Sequence, residues 1–195
     1  TAAFNALAYL IALRYRQKTG QGQWADIPQY EVIFRMAEWN VAAYDKLGLA
    51  RERTGNRHPS YAPSDLYLTR DGQWVVIEVV NDKIFSRLAQ AMGREELAED
   101  PRFQTIAKRA ENAEAINQIV AAWVQGKGLK EVVDTLVEAQ VPSSPVYSSR
   151  DILQDPHYRA RQSLLELEDP VMGKVTVPNL AARFSRTPAE IRDTG

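Results

Sequence analysis

The stretch DLYLTRDGQWVVIEVV, residues 65–80, constrains the fold more than any other part of the chain. Strand-type residues lie on both sides of Asp71-Gly72, a dipeptide that readily takes the positive φ angles of a tight hairpin turn. The segment predicts two antiparallel strands. Just before it, RTGNRHPSYAPSDLY (residues 53–67) has neither helical nor strand periodicity, yet gathers Gly55, Asn56, Pro59, Pro63, a histidine and two arginines. After it the pattern turns helical. Asn81 or Asp82 can cap a helix through Met92, and Asp100-Pro101 pairs a capping side chain with a proline at the first helical position. Ile106, Ala110, Ala113, Asn117, Val120 and Val124 mark one face of the longest expected helix, ending at Gly126, and Val132, Val133, Leu136 and Val137 mark a shorter one. VPSSPV reads as an extended connector, Asp155-Pro156 as a second Asp-Pro helix start, and LLELEDPVMGKVTVPNL as a second strand pair turning at Met172-Gly173.

Upstream, residues 2–13 are apolar almost all round, which predicts a core helix. Arg14, Arg16 and Lys18 suit its C-terminus before Gly20. The run is too short to span a bilayer and has no basic start. Trp24–Ile27 reads as a short buried strand stopped by Pro28, and Pro28 to Leu47 as a second helix. Phe34, Met36 and Trp39 make that helix apolar on more than one side, as expected of an element wedged between layers or partners. The chain opens within an element, without Met or a capping residue before Thr1, and is expected to be a piece of a longer protein.

Composition narrows the function classes. With 24 basic and 25 acidic residues, the charge gives no reason to expect nucleic acid or an anionic membrane as partner. The absence of cysteine removes disulfides, thiolate metal sites and a cysteine nucleophile, and fits a reducing cytoplasm. The two histidines, His58 and His157, are far apart and have no carboxylate at ligand spacing, so no metal site is expected.

Four segments, in order along the chain, resemble one family. RYRQKTGQGQWADIPQYE resembles R-x-x-T-G-x-G-Q-x-x-D-x-S-L/M-x-E of the class III CoA-transferases, which include formyl-CoA and carnitine CoA-transferases and, more distantly, the α-methylacyl-CoA racemases. RTGNRHPSYAPSDLYLTRDG is similar to the family's G-N-x-H-P-x-x-x-P-x-x-x-Y/F-x-x-x-D-G block. NDKIFSRLAQAMGREELAEDPRFQTIAKRAENAEAI is similar to N-D-x-x-F-x-x-L … L-x-x-D-P-R-F … R-x-x-N, and VPSSPV…DPHYRAR to V-P-x-x-P-V … D-P-x-x-x-A-R.

The resemblance implies movement of coenzyme A from an acyl-CoA to a small carboxylic acid through an aspartyl anhydride and an aspartyl-CoA thioester. Coenzyme A is then a substrate, and no tightly bound cofactor is expected. It implies a nucleophilic Asp just upstream of Thr1 and an interlocked homodimer. It also implies an α/β fold, in which a small α+β domain is flanked by parts of a larger Rossmann-like α/β domain. On this reading residues 1–50 are the C-terminal part of the large domain and a linker helix, 51–162 the small domain, and 163–195 a linker returning to the large one. Residues 1–195 alone are then expected to be inactive.

The candidate substrate-binding positions are Asn56, His58, Arg53 and Tyr61. Their loop is placed by the resemblance near the acyl end of the site, where a neutral imidazole or an amide can hold a carboxylate or thioester oxygen. Against this stands a loop fastener, with Asn56 in a left-handed turn and His58 bonding a backbone carbonyl. Asp100 and Asp155 read as helix caps, Asp26 as one end of a strand-end salt bridge, and His157 as a surface residue. Two alternatives to a transferase stay open: an acyl-CoA isomerase like the α-methylacyl-CoA racemases, and a non-catalytic assembly module.

Overall fold

A computed structural model describes residues 1–37, 39–188 and 190–191. The chain divides into two compact units, Thr1–Thr54 and Gly55–Gly195.

In the first unit, α1 (Ala2–Thr19) ends where the Gly20 amide donates back to the Arg16 carbonyl at 2.8 Å with Gly20 at φ 76°, a left-handed cap that glycine adopts without strain. The expected core helix forms, but among the described residues none of its side chains is buried. A helix apolar on every side has no single face that one neighbour can cover. Trp24–Ile27 is irregular, not a strand, and Trp24 is 86% exposed. The helix expected over 28–47 is two: α2 (Gln29–Met36), preceded by Pro28 as its extended N-cap, and α3 (Asn40–Leu47). Position 38 lies outside the described residues, and the break precedes α3 at Trp39, a weaker helix former than Met36 or Ala37 before it.

In the second unit, β1 (Ser64–Leu68) and β2 (Trp74–Glu78) form the expected hairpin, with Gly72 at φ 76°. Ser143–Pro145, inside the expected connector, is a third strand, β3, antiparallel to β2. Val75 and Ile77 of β2 point into the core while Trp74 and Glu78 face out, the period of two that a half-buried strand needs. Against this sheet lie α6 (Ala113–Gln125) and α7 (Leu129–Glu138), with α4 (Asp82–Ala91) packed on α7 and α5 (Ile106–Glu111) on α6. Phe85, Leu88, Phe103, Ile116, Val120, Val124, Val132 and Leu136 close the core.

Two helix starts differ from expectation. Asp100-Pro101 opens a turn, because the Asp100 carboxylate accepts the Arg102 amide at 2.9 Å and pairs with the Arg102 side chain. The helix then begins at Ile106, capped by Thr105. The expected long helix is broken at Asn112, whose side-chain amide donates to the Lys108 carbonyl at 2.9 Å, a local bond that competes with helix continuation. Asn81 and Asp155 cap α4 and α9 (Pro156–Ala160) as expected. Between β3 and α9 lies α8 (Ser149–Gln154), opened by a Ser148–Asp151 capping box. The final hairpin, β4 (Leu164–Asp169) with β5 (Gly173–Pro178), turns at Gly173 with φ 72° and forms its own two-stranded sheet.

Asp71 has a second duty beyond its turn. The N-cap of α7 is Gly128, which has no side chain to satisfy the first helical amides, and Asp71 accepts the Leu129 amide at 3.1 Å. The Thr69 hydroxyl and then that amide hold the Asp71 carboxyl below its usual range. A depressed folded-state value means that the stabilisation is complete above the unfolded value near ~3.9 and is lost as pH falls through the folded value. Asp71→Asn is therefore expected to lower the melting midpoint at neutral pH, with the gap to wild type closing below about pH 4. Melting curves across pH check this, and a gap independent of pH contradicts it.

Candidate functional site

The loop from Gly55 to Pro63 joins the start of the second unit to β1. Gly55 adopts φ 66°, which suits glycine, and Asn56 follows it in the same turn, exposed. The Ala62-Pro63 peptide is cis, and Ala62, Pro63 and Ser64 are buried. Between these ends the His58 and Tyr61 rings stack, with centroids 4.0 Å apart and planes 16° from parallel. His58 Nδ1 accepts the Ser60 amide at 3.1 Å. An accepting Nδ1 leaves the proton of the neutral imidazole on Nε2 and makes that nitrogen a donor.

Two arginines tie this loop to the helices. Arg57 donates through Nε to Asp65 at 2.6 Å and through Nη1 to Glu114 at the start of α6. These partners, Asp65 first, raise the Arg57 pKa above its usual value, and Arg57 in turn holds Glu114 below the ordinary carboxylate range. Arg109 is fully buried. It donates to the Ala62 carbonyl at 2.9 Å, the Phe103 carbonyl at 2.8 Å and Asp82 at 2.9 Å, and its guanidinium lies 4.4 Å from the Phe85 ring centroid. Burial pushes Arg109 down from its ordinary value and Asp82 opposes the shift. Beneath the loop, the buried Tyr67 hydroxyl donates to Asn117, whose own amide donates to the Ala113 carbonyl at 2.8 Å. An open depression of about 270 Å³ between β1 and α6 is lined by Arg57, Asp65, Tyr67 and Asn117. The charges facing it are already paired, so it offers an incoming anion little.

Of the four candidates, His58 and Tyr61 are in contact and Asn56 sits two residues before His58 in the same loop. Arg53 is exposed and belongs to the first unit. His157 is exposed at the start of α9, as expected, and Asp26, with no strand beside it, is exposed. Among the described residues no group of three His, Cys, Asp or Glu side chains is placed to hold a metal ion. Arg109, Asp82 and Phe85 were not among the candidates, although N-D-x-x-F and R-x-x-N contain all three and D-P-R-F supplies Phe103. In space those blocks meet: Asp82 and Phe85 flank Arg109, Phe103 accepts from it, and Asn112 donates to the Arg102 and Lys108 carbonyls.

The model of CoA-transferase family III matches residues 1–195. The chain belongs to CoA-transferase family III. The succinyl-CoA–D-citramalate CoA-transferase of Chloroflexus aurantiacus is 42% identical over 194 residues, covering 100% of this chain and 48% of that protein. The succinyl-CoA–L-malate CoA-transferase alpha subunit of the same species is 37% identical, covering 98% and 45%. The succinyl-CoA:mesaconate CoA-transferase of Haloarcula hispanica is 34% identical, covering 87% and 42%. The chain thus spans about half the length of these curated relatives. A CAIB/BAIF family protein from Brucella suis superimposes with a TM-score of 0.72 at 27% identity, covering 96% of this chain and 48% of that one. Its mixture of helices and small antiparallel sheets places this family III chain in the α/β class.

Proposed function

We propose that the complete protein moves coenzyme A from succinyl-CoA to a small dicarboxylic acid. The observation that carries this is the 42% identity to a succinyl-CoA–D-citramalate CoA-transferase, with malate- and mesaconate-directed transferases at 37% and 34%. Each of those acceptors has two carboxylates on a four- or five-carbon chain. The reaction runs by attack of an aspartate, outside residues 1–195, on the thioester carbon. The C–S bond breaks, CoA leaves as thiolate, and an acyl-aspartyl anhydride remains. The thiolate returns to the aspartyl carbonyl and releases succinate; the acceptor carboxylate then attacks the aspartyl-CoA thioester and expels CoA thiolate, which attacks the acceptor's acyl carbon in the new anhydride, giving the acceptor's CoA thioester and freeing the aspartate.

In this reading His58 and Asn56 hold the acyl end. Support comes from the orientation of the imidazole: Nδ1 is occupied by the Ser60 amide, which leaves an Nε2–H donor stacked on Tyr61 and suited to a carboxylate or thioester oxygen. Arg53, independently, is a cation for a carboxylate. We also assign residues 1–50 to the large domain, 51–162 to the small one and 163–195 to the return linker, of which 189 and 192–195 lie outside the described residues. The protein is taken to be a cytoplasmic homodimer. Among the described residues no helix is long and apolar enough to cross a membrane, and the exposed Ile33, Phe34, Met36 and Tyr44 of α2 and α3 supply apolar surface for a partner copy.

In the complete protein, His58→Ala and Asn56→Ala are each expected to reduce turnover by about 1–3 kcal/mol, on the order of five- to a hundredfold, with little change in melting temperature. Steady-state kinetics with succinyl-CoA and each acid, alongside melting curves, make the comparison. A large drop in melting temperature with turnover per folded molecule unchanged makes the loop a fastener instead.

A further inference from the structure

The geometry points to Arg109 as a positioning residue that sets where His58 and Tyr61 present themselves to the acyl substrate. This rests on the reading of their loop as part of the substrate site. Residues 58–61 are a short segment held at both ends. On one side Arg57 is bridged to Asp65 and Glu114; on the other the Ala62 carbonyl accepts from Arg109.

The two ties are unequal. Arg57 and Glu114 are 38% and 64% exposed, and ion pairs in water hold geometry weakly. Arg109 has no exposed side-chain surface, and its planar fork directs one donor each to Ala62, Phe103 and Asp82 while lying on Phe85. A buried charged donor cannot exchange its partners for water without a large loss. Arg109 therefore fixes the loop to the turn at Phe103 and to the first turn of α4 together. Lysine carries the charge but not the three-way planar geometry.

The test uses the complete protein and two readouts, hydrogen exchange of residues 56–62 by mass spectrometry and steady-state turnover. Arg109→Lys is expected to speed exchange in that segment selectively and to lower kcat by up to about a hundredfold, the scale that misplacement of a site group carries. Because it acts in large part through His58, its effect on kcat is expected to shrink several-fold in a His58→Ala background. Equal losses in both backgrounds overturn the positioning role and leave the loop's substrate role intact. If His58→Ala leaves turnover unchanged while Arg109→Lys still loosens the segment, the substrate reading of the loop falls and the positioning role falls with it. Should Arg109→Lys fail to fold, Asp82→Asn, altering the exposed side of the same pair, is read by the same exchange and coupling measurements.

Discussion

Mixed with succinyl-CoA, residues 1–195 alone are expected to gain no covalent acyl adduct, whereas the complete protein is expected to gain one at an aspartate outside this segment. The expectation rests on the proposed aspartyl mechanism, and four of the chain's own aspartates are already engaged as acceptors. A carboxylate that attacks a thioester needs an available lone pair and ordinary basicity. Asp71 accepts the Leu129 amide, Asp100 the Arg102 amide and side chain, Asp151 the Ser148 amide at 2.7 Å, and Asp155 the His157 amide at 2.6 Å. All four carboxyls are held below their usual range, by the Thr69 hydroxyl, Arg102, the Ser148 hydroxyl and the Tyr147 hydroxyl respectively. Donors that stabilise the anion also weaken it as a nucleophile. Intact-mass spectrometry after rapid mixing, with hydroxylamine to cleave the anhydride or thioester, reads the difference directly. An adduct mapped to any residue within 1–195 sinks the assignment.

How much of this was legible in the sequence depended on how local the cause was. Both hairpins were, because Asp71-Gly72 and Met172-Gly173 supply the positive φ their turns need and the flanking residues fit strands. Asn81 and Asp155 were legible as caps for the same reason: donor and acceptor are three residues apart or fewer. Asp100-Pro101 has the same composition as Asp155-Pro156 and a different outcome, since Arg102 follows in one case and His157 in the other, and Arg102 engages the carboxylate twice over. The six residues of α8 are too few to show a period, though Ser148-x-x-Asp151 carries a capping-box pattern. In α1 the apolar pattern predicted burial, yet among the described residues no side chain of that helix is buried, because pattern shows only that a side chain could be covered.

The candidate site divides along the same line. That residues 53–64 form an irregular loop was plain from Gly55, Asn56, Pro59 and Pro63. That Arg109 holds the loop was not, since its bonds reach Ala62 and Asp82, 47 and 27 positions away, and no spacing rule connects them. Helical periodicity placed Ile106 and Ala110 on the apolar face and passed over Arg109 between them, which is the residue of α5 that is fully buried. A buried arginine needs specific acceptors, and acceptors supplied by backbone carbonyls leave no trace in sequence.

The largest loss of stability is expected at the ring beneath that guanidinium. Phe85 is 2% exposed, packs within the core of the second unit and lies 4.4 Å from the Arg109 carbon. Phe85→Ala removes a buried ring and leaves a cavity, a change that costs about 3–5 kcal/mol, with the lost cation–π contact contributing about 1–2 of it. For a chain of this size that corresponds to a fall in melting midpoint of roughly 10 °C. Val137→Ala, at a side chain 63% exposed on α7, is the control and is expected to change stability by less than about 0.5 kcal/mol. Phe85→Leu separates the two contributions, because it restores most of the volume and none of the π face, and its loss should fall between the other two. If Phe85→Leu proves as damaging as Phe85→Ala, the ring matters mainly as the surface on which Arg109 lies; if it is nearly neutral, Phe85 is core volume, and the placement of Arg109 rests on its three hydrogen bonds.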